Sequence, residues 1–282
     1  MKPSLQALYG LKYNPFTQDV PTEALLIYPK LEDFYWRMEH SFIKEGGFAL
    51  ITGDPGTGKS AVLRILSERL SVIRDIQVAT LTRPSARIAD FYRELGDIFS
   101  VPLNPHNRWR GFKQLRECWV EHLSKTLVHP VLLIDEAQEM PNCVLNELRL
   151  LTSSHFDSKL LLSVIIAGDR RFTDKLRHDE LLPLGSRIRM RFTTEYADTE
   201  LLQKTLHHLL RDAGAPHLMT PQLIHTLCDH AMGNYRALCV MAGELLVFAV
   251  QQEKKQLDEA LYLDYFKPSS TPRKKNAGGY HG

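Results

Sequence analysis

The chain has 282 residues, 44% of them hydrophobic, and lysine plus arginine exceed aspartate plus glutamate by only 35 to 33. The apolar content supports a packed core, in one large domain or one plus a small appendage, and excludes a disordered chain. The near balance of charge excludes a global field drawing the protein to a polyanion, so any nucleic-acid contact has to come from local basic clusters.

The four cysteines, Cys118, Cys143, Cys228 and Cys239, form no CxxC pair and are too few for a disulfide scaffold. They read as reduced thiols of a cytoplasmic protein. The twelve histidines follow no metal-ligating spacing, and no structural metal is expected. The start, MKPSLQALYGLKYNPF, has no continuous apolar run, and no stretch approaches the roughly eighteen apolar residues of a membrane span. Both features argue against export and against a membrane partner.

In chain order, residues 1–47 are expected to form an N-terminal segment packed on the core that follows. From Phe48 to about Phe192, short apolar runs alternate with amphipathic stretches, the pattern of an α/β fold with a parallel five-stranded sheet between helices. The expected strands are FALIT (48–52), IQVATLT (76–82), VLLID (131–135), LLLSVIIAG (160–168) and RIRMRF (187–192). AVLRILSERL, ADFYRELGDIF and CVLNELRLL carry apolar residues at helical spacing. This core spans 48–196, and a small all-helical domain follows over 197–267. Thr220 and Pro221 read as the N-cap and first turn of a helix, and Gly233-Asn234 marks the break before another running to Val250. Residues 268–282, SSTPRKKNAGGYHG with its preceding proline, read as a disordered basic tail in which Arg273 to Lys275 offer weak phosphate affinity or solubility. There is no internal repeat.

GDPGTGKS, comprising Gly53, Asp54, Pro55, Gly56, Thr57, Gly58, Lys59 and Ser60, fits G-x-x-x-x-G-K-[ST] between an expected strand and an expected helix. Glycines let backbone N–H groups converge on phosphate oxygens, and the helix N-terminus adds partial positive charge. Lys59 is expected to reach the β- and γ-phosphates of ATP, and the Ser60 hydroxyl to ligate Mg2+. Downstream, VLLIDEAQ ends an apolar strand in two acids. Strand ends on that edge of a parallel sheet face the ligand crevice, so Asp135 is placed in the Mg2+ shell and Glu136 beside the attacking water. Such an acid favours transfer to water, and nothing proposes the second substrate pocket a small-molecule kinase needs.

GDPGTGKS, LLIDEAQ, the helix NELRLLTS, a strand ending IIAGD, the SRI of LGSRIRMRF and the later GNYR together resemble a P-loop AAA+ ATPase core with a helical lid. The resemblance covers nearly the whole chain. More narrowly, YGLKYNPF, the DEAQ box and ELRLLTS resemble the ExeA-like group, which includes secretion-linked ATPases and the TniB/TnsC-type ATPases that assist DNA transposition.

The resemblance implies that Arg187 enters a neighbouring subunit's ATP site and stabilises the transferring phosphoryl group, with Arg189 as the alternative and Arg191 structural or solvent-facing. It also places Arg236 of GNYR over the nucleotide. The matching sensor position after the fourth strand carries Asp169 where the family usually has a neutral polar residue. Repulsion from the γ-phosphate then requires compensation by Arg170 or Arg171, or slow hydrolysis.

A head-to-tail interface implies a homo-oligomeric ring or helical filament. Arg83 and Arg87 in TRPSAR, with Arg108, Arg110 and Lys113 in NRWRGFKQLR, are the candidates to grip double-stranded DNA without reading sequence. The favoured expectation is an ATP-hydrolysing regulator of transposition that loads on DNA and recruits a transposase. The alternatives are a secretion-pathway ATPase and a nucleotide-switched scaffold that ignores DNA.

Overall fold

The computed structural model of the chain describes residues 8–103, 107–154 and 159–266. The tail expected over 268–282 lies outside them. In chain order the strands are β1 (Gly47–Gly53), β2 (Ile76–Leu81), β3 (His129–Ile134), β4 (Ser153–Ser154), β5 (Lys159–Leu160), β6 (Ser163–Gly168) and β7 (Ile188–Thr194). Five of them form one sheet in the order β2-β3-β6-β1-β7, parallel at each pairing, and β4 pairs β5 antiparallel apart from it. Parallel pairing brings the C-terminal ends of β1, β3 and β6 to one edge, side by side.

Both faces of the sheet are covered, which is why its strands read as nearly continuous apolar runs. Phe48, Leu50, Leu132, Ile134, Val164 and Ile166 face one layer, α3 (Ile88–Ile98), α4 (Arg108–Glu121) and α5 (Asn142–Leu151). The alternate residues Ala49, Ile51, Val131, Leu133, Ile165 and Ala167 face α1 (Pro29–Arg37) and α2 (Lys59–Ser71). The expected run 160–168 is shorter as a sheet strand: Leu160 pairs back to Ser153, and Leu161 and Leu162 turn into the core before β6 begins.

The edge strand departs from simple alternation. Phe48 pairs with Ile188 but Ala49 pairs with Met190, so Arg189 is the extra residue of a β-bulge. Ile188 and Met190 therefore pack on opposite faces despite their even spacing. The three arginines spaced by two do not form one row. Arg189 pairs with Glu45 at 2.9 Å, Arg191 donates to Gly185 O at 3.3 Å, and Arg187 precedes the strand.

Two short helices, α6 (Arg170–Lys175) and α7 (Leu182–Gly185), lie between β6 and β7. The helical region consists of α8 (Thr199–Asp212), α9 (Pro221–Ala231), α10 (Tyr235–Gln251) and α11 (Glu259–Phe266) around its own core. Asp198, Thr220 and Asn234 cap the first three through hydrogen bonds from Leu201, Leu223 and Ala237, each worth about 1 kcal/mol.

The N-terminal segment divides its contacts rather than lying only on the sheet core. Leu11 and Phe16 are buried in the helical region, where Lys12 N–H donates to Ala213 O and Tyr13 Oη to Asp212. Its apolar residues fit the open side of that four-helix group. Arg64 of α2 then holds the segment by donating to Gln18 O and Val20 O at 2.8 and 2.6 Å.

Candidate active site

The turn between β1 and α2 is shaped by glycines with positive φ, +84° at Gly56 and +98° at Gly58. A side chain at Gly56 would place its Cβ 2.2 Å from Asn234 Oδ1, so the turn and the helical region are in close contact there. Asn234 Nδ2 donates to Pro55 O at 3.1 Å, and Tyr235 N–H donates to Gly56 O at 3.0 Å. On the other side, the hydroxyls of Thr57 and Thr194 lie 2.7 Å apart, anchoring the turn to the end of β7.

Lys59 is only 6% exposed, and its Nζ donates to Gly53 O at 2.9 Å and Asp54 O at 3.1 Å. The ammonium is thus folded across the glycine turn, where phosphate oxygens are stronger acceptors than carbonyls. Ser60 is exposed in the first turn of α2. Asp54, the first variable position of the motif, is paired with Arg170 of α6 at 3.3 Å.

Asp135 follows β3 and is half-buried; its Oδ1 accepts the Glu136 N–H at 2.8 Å. Glu136 is exposed and adopts φ +51°, ψ +40°, a left-handed conformation that glutamate seldom takes. Strain of this kind persists where surrounding contacts enforce it, commonly at functional sites. Here the backbone is held by Asp135, which accepts the Glu136 N–H, and by Glu139, whose N–H donates to Glu136 O at 2.9 Å; the side chain is held separately by Gln138, whose Nε2 donates to Glu136 Oε2.

Asp169 follows β6 and caps α6, accepting from the Arg171 N–H and Nε, each at 2.9 Å. Burial pushes its carboxyl up, but the bonds from Arg171, with help from Lys59, outweigh that and hold it below the ordinary aspartate range. The compensation comes from Arg171, while Arg170 is engaged with Asp54.

These residues fit a nucleotide with Mg2+. The donor set of Ser60 hydroxyl and Asp135 carboxylate is the sparse, oxygen-only set that Mg2+ uses when phosphates and waters complete its shell. At Gly53 and Gly56 a Cβ would strike Thr194 and Asn234, so the turn keeps its conformation against both neighbours only with glycine there. Among the described residues no cluster of three His, Cys, Asp or Glu could hold a metal by itself.

Other expected site residues stand apart. Arg187 donates to Arg149 O at the end of α5, at 3.3 Å. Arg236 is exposed on the first turn of α10, with no ion pair or side-chain hydrogen bond to a described residue; the contacts to the phosphate turn come from Asn234 and Tyr235 beside it. Sequence reasoning missed Thr194, Gln138, Asn234 and Tyr235. Asn234 was legible as a helix start, but its second role depends on what the helix start touches.

The basic candidates also separate. Arg108 is committed to Glu147, a carboxylate 3% exposed that accepts the Tyr92 hydroxyl at 2.5 Å and Arg108 Nε at 3.0 Å. Burial pushes Glu147 up, yet the bonds from Arg108 and Tyr92 prevail and hold it below its usual 4.5. We expect Arg108→Ala to cost about 1–3 kcal/mol at pH 7, the price of an under-satisfied buried carboxylate. A folded-state pKa below the unfolded one stabilises above the unfolded value, and that contribution is lost as pH falls through the folded value. The difference from wild type in urea unfolding should therefore shrink below about pH 4; a constant difference would remove the pair from the explanation. Lys113 pairs with Glu117 at 3.7 Å. Arg83, Arg87 and Arg110 are exposed, with no ion pair to a described residue.

Comparison with known proteins agrees with this geometry. Residues 43–176 match the family model described as an AAA domain. General secretion pathway protein A of Aeromonas hydrophila is 28% identical over 245 residues, 86% of this chain and 44% of that protein, so the chain spans less than half its length. The Aeropyrum pernix ORC2 protein, solved in ADPNP-ADP complexes, superimposes with a TM-score of 0.69 at 14% identity, covering 90% of this chain and 71% of its own. The Aeropyrum pernix ORC1 protein, solved in complex with DNA, gives 0.65 at 15% identity, covering 89% and 67%. A glycine turn closing on a buried lysine, two acids at the end of β3 and a helical region docked on the turn accompany these matches: residues 43–176 match an AAA domain, and the chain has the P-loop AAA+ fold.

Proposed function

We propose that this protein is an ATP-driven assembly switch acting on duplex DNA. Lys59 and the glycine turn bind the phosphates, Ser60 and Asp135 hold Mg2+, and Glu136 orients and deprotonates the attacking water. Arg187 of one copy completes the site of the next in a head-to-tail ring or filament. Arg236 meets the nucleotide when the helical region closes over it, and Asp169, neutralised by Arg171, adjoins the γ-phosphate.

The observation that carries the DNA part is the placement of the unpaired cations. Arg87 is the N-cap residue of α3, and Arg110 lies in the first turn of α4, a turn without acidic residues. A cation at a helix N-terminus is opposed by the helix dipole, so neither arginine stabilises its own helix. Both positions, with Arg83 in the preceding loop, suit a polyanion whose charge satisfies side chain and helix terminus together. The DNA complex of the similarly folded ORC1 protein supports the same reading. Recruitment of a transposase by the DNA-bound oligomer is its narrower form.

A second reading follows from the identity shared with general secretion pathway protein A across 86% of this chain. There the assembly acts on a protein partner of the secretion pathway. Among the described residues no helix is long and apolar enough to cross a membrane.

Fluorescence anisotropy of a labelled duplex of arbitrary sequence, with a non-hydrolysable ATP analogue across a salt series, separates the two. We expect binding only with nucleotide, and a log–log salt slope shallower by about 2 to 3 for the Arg83→Ala/Arg87→Ala/Arg110→Ala variant. Binding that ignores nucleotide, or a slope unmoved by the triple change, would discard the DNA reading in favour of the second.

A further inference from the structure

Gln138 is 8% exposed and its side chain lies between the ends of β3 and β6, neighbouring strands on one side of β1 and the phosphate turn. Its Nε2 donates to Glu136 Oε2, and its Oε1 accepts the backbone N–H of Asp169 at 3.1 Å. The chemistry of the partners fixes the amide's orientation. Reversed, it would set oxygen against carboxylate and NH2 against N–H, losing both bonds. The residue is itself held: Lys175 Nζ of α6 donates to the carbonyls of Gln138, at 3.3 Å, and Met140. Arg171 ties the same loop from the other side through Glu139 at 3.2 Å. Gly168 leaves room for the amide, since a Cβ there would sit 3.2 Å from its oxygen.

Glu136 is otherwise exposed at a strand end. A carboxylate that has to orient one water gains from losing rotamer freedom, and a misplacement of about 1 Å is worth up to about 100-fold in rate. We infer that Gln138 is a positioning residue for ATP hydrolysis: its amide locks the Glu136 carboxylate to the end of β6, next to Asp169, so that base and sensing strand move as one. The inference rests on the reading of Glu136 as the water-orienting acid.

The test compares two full-length variants. Gln138→Glu keeps an acceptor for the Asp169 N–H but sets a carboxylate against Glu136. Gln138→Met keeps the volume and loses both bonds. For each, steady-state ATPase rates, ATP-analogue affinity by calorimetry and the thermal unfolding midpoint are measured, with Glu136→Gln alongside. We expect kcat to fall about 10- to 100-fold in both, with analogue Kd within about threefold of wild type.

A normal rate in Gln138→Glu with a loss in Gln138→Met would make Gln138 a strut for β6 and overturn the inference. So would normal rates in both, a loss in Gln138→Glu alone, or lost nucleotide binding in place of lost turnover. If Glu136→Gln itself turns over normally, the reading of Glu136 fails first; if Glu136→Gln is inactive and the Gln138 variants are not, only the present inference falls.

Discussion

Lys59→Ala is expected to weaken ATP binding by about 100-fold or more, the usual consequence of truncating one member of a desolvated charge pair. The side chain is nearly buried, and its ammonium spans the glycine turn through two backbone carbonyls. Alanine removes the Lys59 ammonium from the turn while leaving the glycine conformations and the start of α2 intact. Calorimetric titration with ATP and an unchanged circular dichroism spectrum would establish this; wild-type affinity would remove the turn from the argument. The same variant tests Arg187. Lys59→Ala and Arg187→Ala should each be nearly inactive alone, whereas an equimolar mixture should regain activity. In a head-to-tail assembly about a quarter of the interfaces then join an intact Lys59 to an intact Arg187. No recovery at any ratio would put Arg187 to work within its own subunit.

Glu136→Gln should leave ATP binding within a few-fold of wild type and lower turnover by about 100- to 10,000-fold. The substitution is unusually clean at this position. The glutamine carbonyl can still accept from Gln138 Nε2, and the left-handed backbone and the N–H bond to Asp135 do not involve the side chain. What is lost is basicity. Single-turnover measurement of phosphate release would show the loss directly, and a variant that hydrolyses ATP at the wild-type rate would transfer the role to another group.

The two-sided core of this fold was legible because a parallel sheet buried on both faces demands apolar runs. Periodicity located β1, β2, β3 and the helices between them. It fell short at the run 160–168, where two leucines fill core space on the way into β6, and it located β7 without the irregularity in its register. A bulge at Arg189 is invisible in a pattern of residue types because it is decided by register against β1. The same limit applies to charge. Arg108 and Arg110 look alike in sequence, yet one is consumed by the buried Glu147 thirty-nine residues away and the other is not.

The sequence by itself determined the phosphate turn, the paired acids and the order of elements, because glycine freedom, helix capping and strand-end acidity are local properties of short segments. The tertiary structure alone decided which neighbours act on them. It set Asn234 and Tyr235 on the turn, neutralised Asp169 with Arg171 while sending Arg170 to Asp54, and joined Glu136 to the end of β6 through Gln138. Those contacts arise where parallel strand ends and a docked helical region converge. Hydrogen bonds between groups far apart in the chain depend on that convergence and leave no periodic trace.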